Sequence, residues 1–360
     1  MRNIGIVGLG LMGGSIAKTL RKSKKVNKII AFDCEEKTLK KAFDDKVIDD
    51  YSTNINEKFE DLDIVFICTP VSFIGDYIKK LSKYIKKDCI ITDIGSTKST
   101  IVKMFEDNKS DLLFVGGHPM VGSEKIGYEN SKDFLFENAY YIITKSINTD
   151  QCTLDKLNEI VLELKAIPII IDIDKHDFIT AAISHVPHVI ASALVNMVEV
   201  LDDKEEYMRT LAAGGFKDIT RIASASPIMW QNICIENKQE ILKVLNKLSE
   251  IIYDFSDSLT KNENAEIINF FLKAKEYRDS FKNISSIYNV AYDFMVEIED
   301  KPGIIADVAT ILSNNHINIK NIEVINNREH VEGTLKILVE NQEAKNISIE
   351  VLMQNGYRTF

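Results

Sequence analysis

One of the six histidines of the chain, His118, lies in the stretch "GGHPMVGSEKIG" (residues 116–127), directly after an apolar run at residues 112–115. A run of this kind predicts a buried strand, and open α/β sheets bind their ligands where such strands end. The glycines before His118 let a ligand approach the backbone, and Pro119 restricts the chain after it. A neutral imidazole at that edge can accept a proton from a substrate, so His118 is a candidate general base. A solvated or capping histidine is the alternative.

Three other stretches carry polar side chains that could serve the same reaction. "DIGSTK" follows another predicted strand, whereas "SHVPH" and "GGFKDITRIASASPIMW" lie in a region with helical periodicity. Taken singly, these residues have structural explanations as a helix N-cap, a proline-kinked helix or a surface ion pair. A metal site at His185 and His188 is not predicted, because no third ligand converges on them. The candidates are Ser96, Lys98, Ser184, His185, His188, Lys217, Arg221 and Trp230.

The glycines of "GLGLMGGS" have the spacing Gly8-x-Gly10-x-x-Gly13, after an apolar strand and at the start of a helix. In this setting the first glycine forms the tight turn, the second admits a pyrophosphate at the helix N-terminus, and the third lets helix and strand pack closely. Asp33, at the end of the next strand, would accept hydrogen bonds from ribose hydroxyls and repel a 2′-phosphate. The pattern therefore favours NAD over NADP and implies hydride transfer. The predicted cofactor-binding residues are Gly8, Gly10, Leu11, Met12, Gly13, Asp33, Thr69 and Pro70.

The elements that must position these residues fall into three regions. Residues 1–172 alternate β-rich runs with helical stretches, which predicts an NAD-binding, Rossmann-like α/β domain with a doubly wound parallel sheet. Residues 173–285 have apolar residues at helical spacing and few strand signals, which predicts an all-α domain, taken here as the domain for substrate binding and dimerisation. Helix-rich domains of this kind often dimerise, but the apolar stripe fits an ordinary core equally well. Residues 290–360 follow the order βαββαβ, which predicts a ferredoxin-like domain.

Composition and charge limit the classes of protein that fit. A chain of 360 residues, 45% apolar and 27% charged, predicts about two to three globular domains. The formal net charge of −10 disfavours nucleic acid and anionic membranes as partners. No uncharged apolar stretch is expected to reach the roughly 18 to 20 residues of a membrane span, and the glycines near the N-terminus favour a strand and loop over a secretory signal. The five scattered cysteines favour a reducing cytoplasm and predict neither a disulfide nor a zinc site.

The blocks "GLGLMGGS", "DIGSTK", "GGHPMVGSEKIG", "SHVPH" and "GGFKDITRIASASPIMW" resemble, in order and spacing, the prephenate dehydrogenase family. The resemblance implies a homodimeric enzyme of tyrosine biosynthesis that uses NAD to convert prephenate into 4-hydroxyphenylpyruvate by oxidative decarboxylation. It implies that His118 is the catalytic histidine, that Ser96 is its partner at the substrate hydroxyl, and that Trp230 reaches the active site of the partner subunit. It also implies a charge network at the pocket mouth. The implied substrate-binding residues are Ser184, His188, Arg221 and Trp230, and the network residues are Glu124, Asp177 and Lys217.

The chemistry of prephenate agrees with these roles. Prephenate carries a ring carboxylate and a pyruvyl carboxylate, and the guanidinium of Arg221 could bind either of them with two hydrogen bonds. Neutral His118 would accept the proton of the 4-hydroxyl while the hydride leaves C4 for the nicotinamide. The resulting dienone can lose CO2 and aromatise, so the decarboxylation needs no dedicated acid.

The C-terminal stretch "DKPGIIADVATILSNNHINI" resembles the ACT domain, a small module that binds amino acids at paired interfaces. Pro302 and Gly303 turn the chain into a helix, and Asn318 is expected at the start of the next strand. The resemblance implies an effector site at these three residues, and tyrosine is the hypothetical feedback inhibitor. A packing module without a ligand is the alternative, because the fold does not by itself imply a function.

Three other functions stay open at this point. An arogenate dehydrogenase would act on a substrate with an amino group in place of the keto group, and His188 favours prephenate only by family analogy. A β-hydroxyacid dehydrogenase would share the glycine loop but not "GGHPM" or "SHVPH". A non-catalytic regulator that senses NAD and an amino acid would bind the cofactor without turnover. The joint presence of His118, Ser96 and Arg221 disfavours that regulator.

Overall fold

The computed structural model of the chain describes residues 1–107, 112–122, 125–146, 149–288, 292–299, 301–325 and 332–360. The chain divides into two compact units, residues 1–250 and residues 251–360, and the division falls inside a long helix. Each unit has its own core.

The first unit contains an eight-stranded sheet. Its strands are β1 (Arg2–Val7), β2 (Val26–Phe32), β3 (Asp50–Ser52), β4 (Ile64–Ile67), β5 (Ile90–Asp93), β6 (Leu113–Pro119), β7 (Tyr140–Lys145) and β8 (Ile167–Ile170). The spatial order is β3-β2-β1-β4-β5-β6-β7-β8. The first six strands are parallel and have the order of a Rossmann fold, which confirms the predicted fold class.

Two features of this sheet differ from the prediction. The three-residue strand β3 is too short to give a recognisable pattern. β7 runs antiparallel to β6, and β8 is parallel to β7, so one edge of the predicted parallel sheet has the opposite direction. Parallel neighbours need a long crossover, whereas the described residues between β6 and β7 form only a short 3-10 turn at Tyr128–Asn130.

Helices cover both faces of the sheet. They are α1 (Leu11–Leu20), α2 (Glu36–Asp44), α3 (Val71–Leu81), α4 (Ser99–Asp107) and α5 (Gln151–Glu163). Neighbouring residues of β4 point to opposite faces: Phe66 packs in a core with α1 and α5, whereas Val65 packs in a core with α3 and α4. A strand buried on both sides must be apolar throughout, which explains the continuous apolar runs of the sequence.

The rest of the first unit is helical, as predicted. Its helices are α6 (Ile173–Thr180), α7 (Val186–Leu201), α8 (Tyr207–Leu211), α9 (Gly214–Thr220), α10 (Pro227–Glu236) and the first half of α11 (Lys238–Thr260). Ile241 is buried on α11 and packs with Ala181, Val186 and the half-buried Val244. The predicted apolar stripe ends before Ile252, which is 58% exposed.

The segment Ile173–Leu201 corrects one expectation from the sequence. A π-helical turn, Ala181–His185, joins α6 to α7, so the segment forms one helix of 29 residues. Among the described residues this is the one helix that is long and apolar enough, by length and composition, to cross a membrane. Its buried polar side chains, including His176 and Asp177, form hydrogen bonds within the first unit, although only 28% of its most apolar window is buried in the single chain.

The second unit has the predicted βαββαβ order. After α12 (Asn264–Tyr288) it contains β9 (Tyr292–Glu299), α13 (Ile304–Asn314), β10 (Asn321–Ile325), β11 (Glu332–Val339) and α14 (Gln342–Gln354). The sheet has the antiparallel order β10-β11-β9, and the last predicted strand is a single bridge between Val296 and Thr359. Val296, Leu335, Val308 and Leu352 are fully buried between the sheet and its two helices.

Candidate active site

The glycine loop after β1 has the shape that a dinucleotide requires. Gly8 has a φ of +94°, and a Cβ there would lie 3.0 Å from the backbone of Cys68. A Cβ on Gly13 would lie 2.0 Å from the carbonyl oxygen of Gly8, so glycine is needed for α1 to pack this closely on β1. Gly10, the N-cap of α1, has open space at the Cβ position and no side-chain cap. The first amides of α1 are therefore available to a phosphate.

The carboxylate of Asp33 lies against this loop. Its Oδ2 accepts the backbone N–H of Leu9 at 2.7 Å, and its Oδ1 accepts that of Glu35 at 2.9 Å. These bonds hold the half-buried carboxylate beside the glycine loop, directly after β2, where a ribose binds in folds of this kind.

The other four predicted cofactor residues line the same edge of the sheet. Leu11 and Met12 are the half-buried first residues of α1, and Pro70 is the N-cap of α3, directly beyond β4. The Oγ1 of Thr69 is buried and has no hydrogen-bond partner among the described residues. A buried hydroxyl without a partner is what a bound ligand would satisfy. The residues present therefore fit NAD.

His118 lies within β6, close to its end, and is 8% exposed. The position expected from the sequence, just beyond the strand, is wrong because the strand continues to Pro119 through its pairing with β7. The Nδ1 of His118 is 2.9 Å from the Nε2 of His176. Burial, followed by the nearby Lys98 cation, lowers the pKa of His118 well below its ordinary value. The imidazole is therefore neutral at neutral pH.

The glycine pair before His118 serves packing. A Cβ on Gly116 would lie 2.9 Å from the Lys98 side chain and 2.2 Å from the hydroxyl of Thr144. A Cβ on Gly117 would lie 2.5 Å from the backbone oxygen of Asp93. The sequence predicts these glycines as room for a ligand, but in the structure protein atoms occupy that room.

Lys98 forms a buried ion pair with Asp93 at the end of β5. Both side chains have 0% exposure, and Nζ lies 2.6 Å from Oδ2. Nζ also donates to the backbone oxygens of Gly95 and Thr97, at 2.7 and 3.1 Å. The same carboxylate accepts the backbone N–H of Gly117 at 3.2 Å. The charged partner of Lys98 is therefore the neighbouring acid, and the pair joins the 94–97 loop to β6.

His176 and Asp177, on α6, form the next layer behind His118. The Nδ1 of His176 lies 2.7 Å from Oδ1 of Asp177. The Asp177 carboxylate also accepts the backbone N–H groups of Lys98 and Ser99, each at 2.8 Å, at the start of α4. Despite the cost of burial, these donors hold the pKa of Asp177 well below its ordinary value, so the carboxylate is charged.

His185 occupies the π-helical turn and is fixed by Asn237. The Nδ2 of Asn237 donates to the backbone oxygen of Asp177 at 2.8 Å and lies 3.0 Å from Nδ1 of His185. An amide nitrogen is a donor only, so Nδ1 accepts and the ring proton is on Nε2. That Nε2 is buried without a partner among the described residues, and burial lowers the pKa of His185 to about 4. His185 thus presents a buried N–H donor.

His188, Trp230 and Arg221 form the open end of the site. The rings of His188 and Trp230 stack with centroids 3.8 Å apart, and His185 meets Trp230 edge-on at 6.0 Å. Arg221 begins a 3-10 turn, Arg221–Ser224, that packs against α7, the helix of His188. Burial lowers the pKa of His188, and the charge of Arg221 lowers it as well. Asn237 bonds to both Asp177 and His185, so hydrogen bonds and ring contacts connect His118 to His188. Arg221 is exposed and has no carboxylate partner among the described residues.

Four of the predicted site residues, Ser96, Ser184, Lys217 and Asp177, do not make the contacts that the sequence interpretation implies. Ser96 and Ser184 are half-buried, and in the described part of the chain neither bonds to His118. Lys217 is exposed and forms no ion pair with a described residue. Asp177 is 3% exposed and turned toward the start of α4, where it borders a cavity of about 680 Å³ with Lys103 and Glu240 rather than meeting Lys217. Glu124 lies outside the described residues.

The sequence interpretation missed three buried polar residues: Asp93, His176 and Asn237. Asp93 could have been found as the acid that ends a strand before "GSTK". His176 precedes Asp177 in "KHDF", but an isolated histidine on a helix gives no signal of its own. Asn237, at the start of α11, is recognisable only from its two hydrogen bonds.

The structure does not bring the three predicted effector residues together within the second unit, because Pro302 and Gly303 follow the end of β9, whereas Asn318 lies beside the end of β11, which pairs with the start of β9. Gly303 has a φ of +92° and is the N-cap of α13, directly after Pro302. Asn318 lies three residues before β10, not at its start, and donates to the Oε1 of Glu340 at 3.1 Å. A cavity of about 440 Å³ begins beside α13, at Lys301 and Ile304, and is also lined by Gly356, Tyr357 and Arg358.

A dinucleotide loop, a neutral buried histidine at the neighbouring sheet edge and a helical segment with an open cation define an NAD-dependent dehydrogenase. Three family models match the chain: the prephenate dehydrogenase nucleotide-binding domain over residues 16–170, the prephenate dehydrogenase dimerization domain over residues 172–273, and the ACT domain over residues 292–348. The chain belongs to the prephenate dehydrogenase family.

Individual relatives agree over most of their length. The chain is 34% identical to a prephenate dehydrogenase of Bacillus subtilis, over 99% of this chain and 97% of that protein. It is similar to the crystal structure of prephenate dehydrogenase from A. aeolicus with hydroxyphenyl propionate and NAD+, with a TM-score of 0.73, 33% identity, and coverage of 78% and 98% of the two chains. It is also similar to Synechocystis arogenate dehydrogenase, with a TM-score of 0.71, 26% identity, and coverage of 78% and 99%.

Proposed function

We propose that the protein catalyses the NAD-dependent oxidative decarboxylation of prephenate to 4-hydroxyphenylpyruvate, with His118 as general base. The observation that carries this proposal is the buried, neutral His118 next to the dinucleotide edge of the sheet. A base with a lowered pKa is in its active, neutral form at the pH of the cytoplasm, where we place the enzyme.

The residues of the chain have separate roles in the reaction. NAD, when bound, supplies the hydride acceptor. His118 accepts the proton of the substrate 4-hydroxyl, and Ser96, on the half-buried loop after β5, holds the same hydroxyl. Lys98 and Asp93 fix that loop against β6. Loss of CO2 follows from aromatisation of the ring and needs no further side chain.

The open end of the site binds the carboxylates of the substrate. Arg221 is the anchor, because its exposed guanidinium has no anion among the described residues. His188, stacked on Trp230, and the Nε2–H of His185 are neutral polar groups that can bind the remaining oxygens. Ser184 lies one residue from His185 in the π-helical turn and completes the set.

A homodimer agrees with the surface of the helical segment. Several large apolar side chains on α7, α8 and α10 are exposed in the single chain, including Val200 at 82% and Leu211 at 74%. Exposed large apolar side chains on several helices are typical of an interface between subunits. In the single chain Trp230 stacks on His188 of the same subunit, so its predicted contact with the partner's active site depends on this dimer. We assign substrate binding and dimerisation to residues 173–285, NAD binding to residues 1–172, and regulation to residues 290–360.

Arogenate is the second candidate substrate, since the match to the solved arogenate dehydrogenase extends over 99% of that chain. The decisive experiment follows NADH formation from prephenate and from arogenate, with NAD and with NADP. We expect turnover with prephenate and NAD, and the ratio of the kcat/KM values decides between the substrates. Cofactor binding without turnover on either substrate would favour the regulator and overturn the proposal.

Tyrosine is the proposed feedback inhibitor, bound at Pro302, Gly303 and Asn318 where two ACT domains pair. Such an effector must bind one state better than another, with a coupling of about 1–3 kcal/mol. Asn318→Ala should weaken inhibition by tyrosine while kcat without tyrosine stays unchanged. Inhibition that is unaltered in Asn318→Ala and competitive with prephenate would place tyrosine in the active site instead.

A further inference from the structure

A buried hydrogen-bonded chain lies behind the proposed base. It runs from the Asp177 carboxylate to Nδ1 of His176, over 2.7 Å, and from Nε2 of His176 to Nδ1 of His118, over 2.9 Å. All three side chains are buried. Neither His176 nor Asp177 has a role in the function proposed above.

The donors and acceptors in this chain can be assigned in order. The backbone N–H groups of Lys98 and Ser99 both donate to Asp177, so its carboxylate is an acceptor. His176 must then donate from Nδ1, and a neutral His176 has its lone pair on Nε2. That lone pair accepts Nδ1–H from His118. The basic lone pair of His118 is therefore on Nε2, the nitrogen that is left for a substrate.

We propose that His176, oriented by Asp177, is a positioning residue that fixes His118 as the Nδ1–H tautomer and supports its positive charge when Nε2 accepts the substrate proton. The proton moves from the substrate hydroxyl to Nε2 of His118 and stays there. The shared hydrogen bond to His176 then strengthens, because its donor is charged. Only the support of the positive charge on His118 rests on the proposed function, since the tautomer is a property of the resting protein.

An imidazolium at His176 is the competing arrangement. It would donate from Nε2 to His118 and leave the lone pair of His118 buried on Nδ1, where no substrate can reach it. The two amide donors already compensate the Asp177 charge in part, so a cation at His176 is not required for balance. The Asn237 amide, bound to the backbone oxygen of Asp177, further fixes the residue that orients His176.

The test is 15N NMR of the NAD-loaded full chain labelled at histidine, because pyrrole-like and pyridine-like ring nitrogens have well-separated shifts. Six histidines keep the spectrum simple, and His118→Asn identifies the two signals of His118 by their loss. We expect a pyrrole-like Nδ1 and a pyridine-like Nε2 for His118. The reverse assignment, or a doubly protonated His176, overturns the proposal without any variant at 176.

Two variants then connect the tautomer to turnover. His176→Phe keeps most of the ring volume but has no acceptor, so kcat should fall by about 100-fold while KM for prephenate changes less than about threefold. The tautomer preference of His118 should be lost. His176→Gln places a carbonyl oxygen near the position of Nε2 and should recover about tenfold in kcat together with the Nδ1–H tautomer.

The outcomes separate this proposal from the proposed function. A His176→Phe enzyme within threefold of wild-type kcat, or one that is slow although His118 keeps its tautomer, contradicts the positioning role. Should His176→Phe fail to bind NAD, the wild-type spectrum and His176→Gln decide. A His118→Asn enzyme with nearly full activity would contradict the proposed function, because His118 would then not be the base, whatever its tautomer.

Discussion

The two ends of the candidate site differ in how their polar groups are satisfied. At the sheet end, His118, Lys98 and Asp177 are buried and each has a partner within the protein. At the helix end, Arg221 is exposed and has no anionic partner among the described residues. Its charge lowers the pKa of His188. The difference indicates that the proton acceptor is preorganised before substrate binds, whereas the anion site is completed by the substrate itself.

The largest effect should come from removing the base at the sheet end. His118→Asn keeps a polar side chain of similar width but cannot accept the proton, so kcat should fall by about 100- to 10,000-fold. Steady-state NADH formation measures the loss, and the affinity for NAD serves as the control for an intact fold. A variant within tenfold of wild type would contradict the role of His118.

The second prediction concerns the stability of the same end. Lys98→Met leaves the Asp93 carboxylate buried without its cation, and the free energy of unfolding should fall by about 3–5 kcal/mol. Lys40→Met, which breaks the exposed pair with Glu36, is the matched control and should change it by less than about 1 kcal/mol. Denaturant titration of both variants measures the difference, and equal losses would show that burial of the Lys98 pair is unimportant.

The two ends were also predictable from the sequence to different degrees. The glycine loop, Asp33 and the strand before His118 follow from local patterns, because apolar periodicity and turn chemistry fix them within a few neighbouring residues. The partners of His118 do not, since His176 lies 58 positions away and Asn237 a further 61. The strand direction of β7 and the packing role of the glycine pair also depend on contacts between distant segments.

The helix end should respond to mutation mainly in substrate affinity. Arg221→Ala removes charged hydrogen bonds to a substrate carboxylate, which are worth about 1.5–3 kcal/mol and correspond to a rise in KM of about 10- to 100-fold. Since the contact exists in the ground state as well as in the transition state, kcat should change little. Arg221→Lys, with one point charge in place of a planar fork, should be intermediate. An unchanged KM would assign the anion site to another residue.

The smallest expected effect is that of pH on kcat/KM, which tests the neutral base at the sheet end. Of the groups that act on His118, Lys98, His176 and His185 lower its pKa and Asp177 raises it, while burial remains the largest cause. The net pKa is well below 6.5, the ordinary value of histidine, so His118 should stay neutral and kcat/KM should fall less than about twofold between pH 8 and pH 6.5. NAD affinity measured over the same range separates cofactor loss from protonation. An acid limb near or above pH 6.5 would mean that burial does not hold the pKa of His118 below its ordinary value, and that the base is not preorganised in its neutral form.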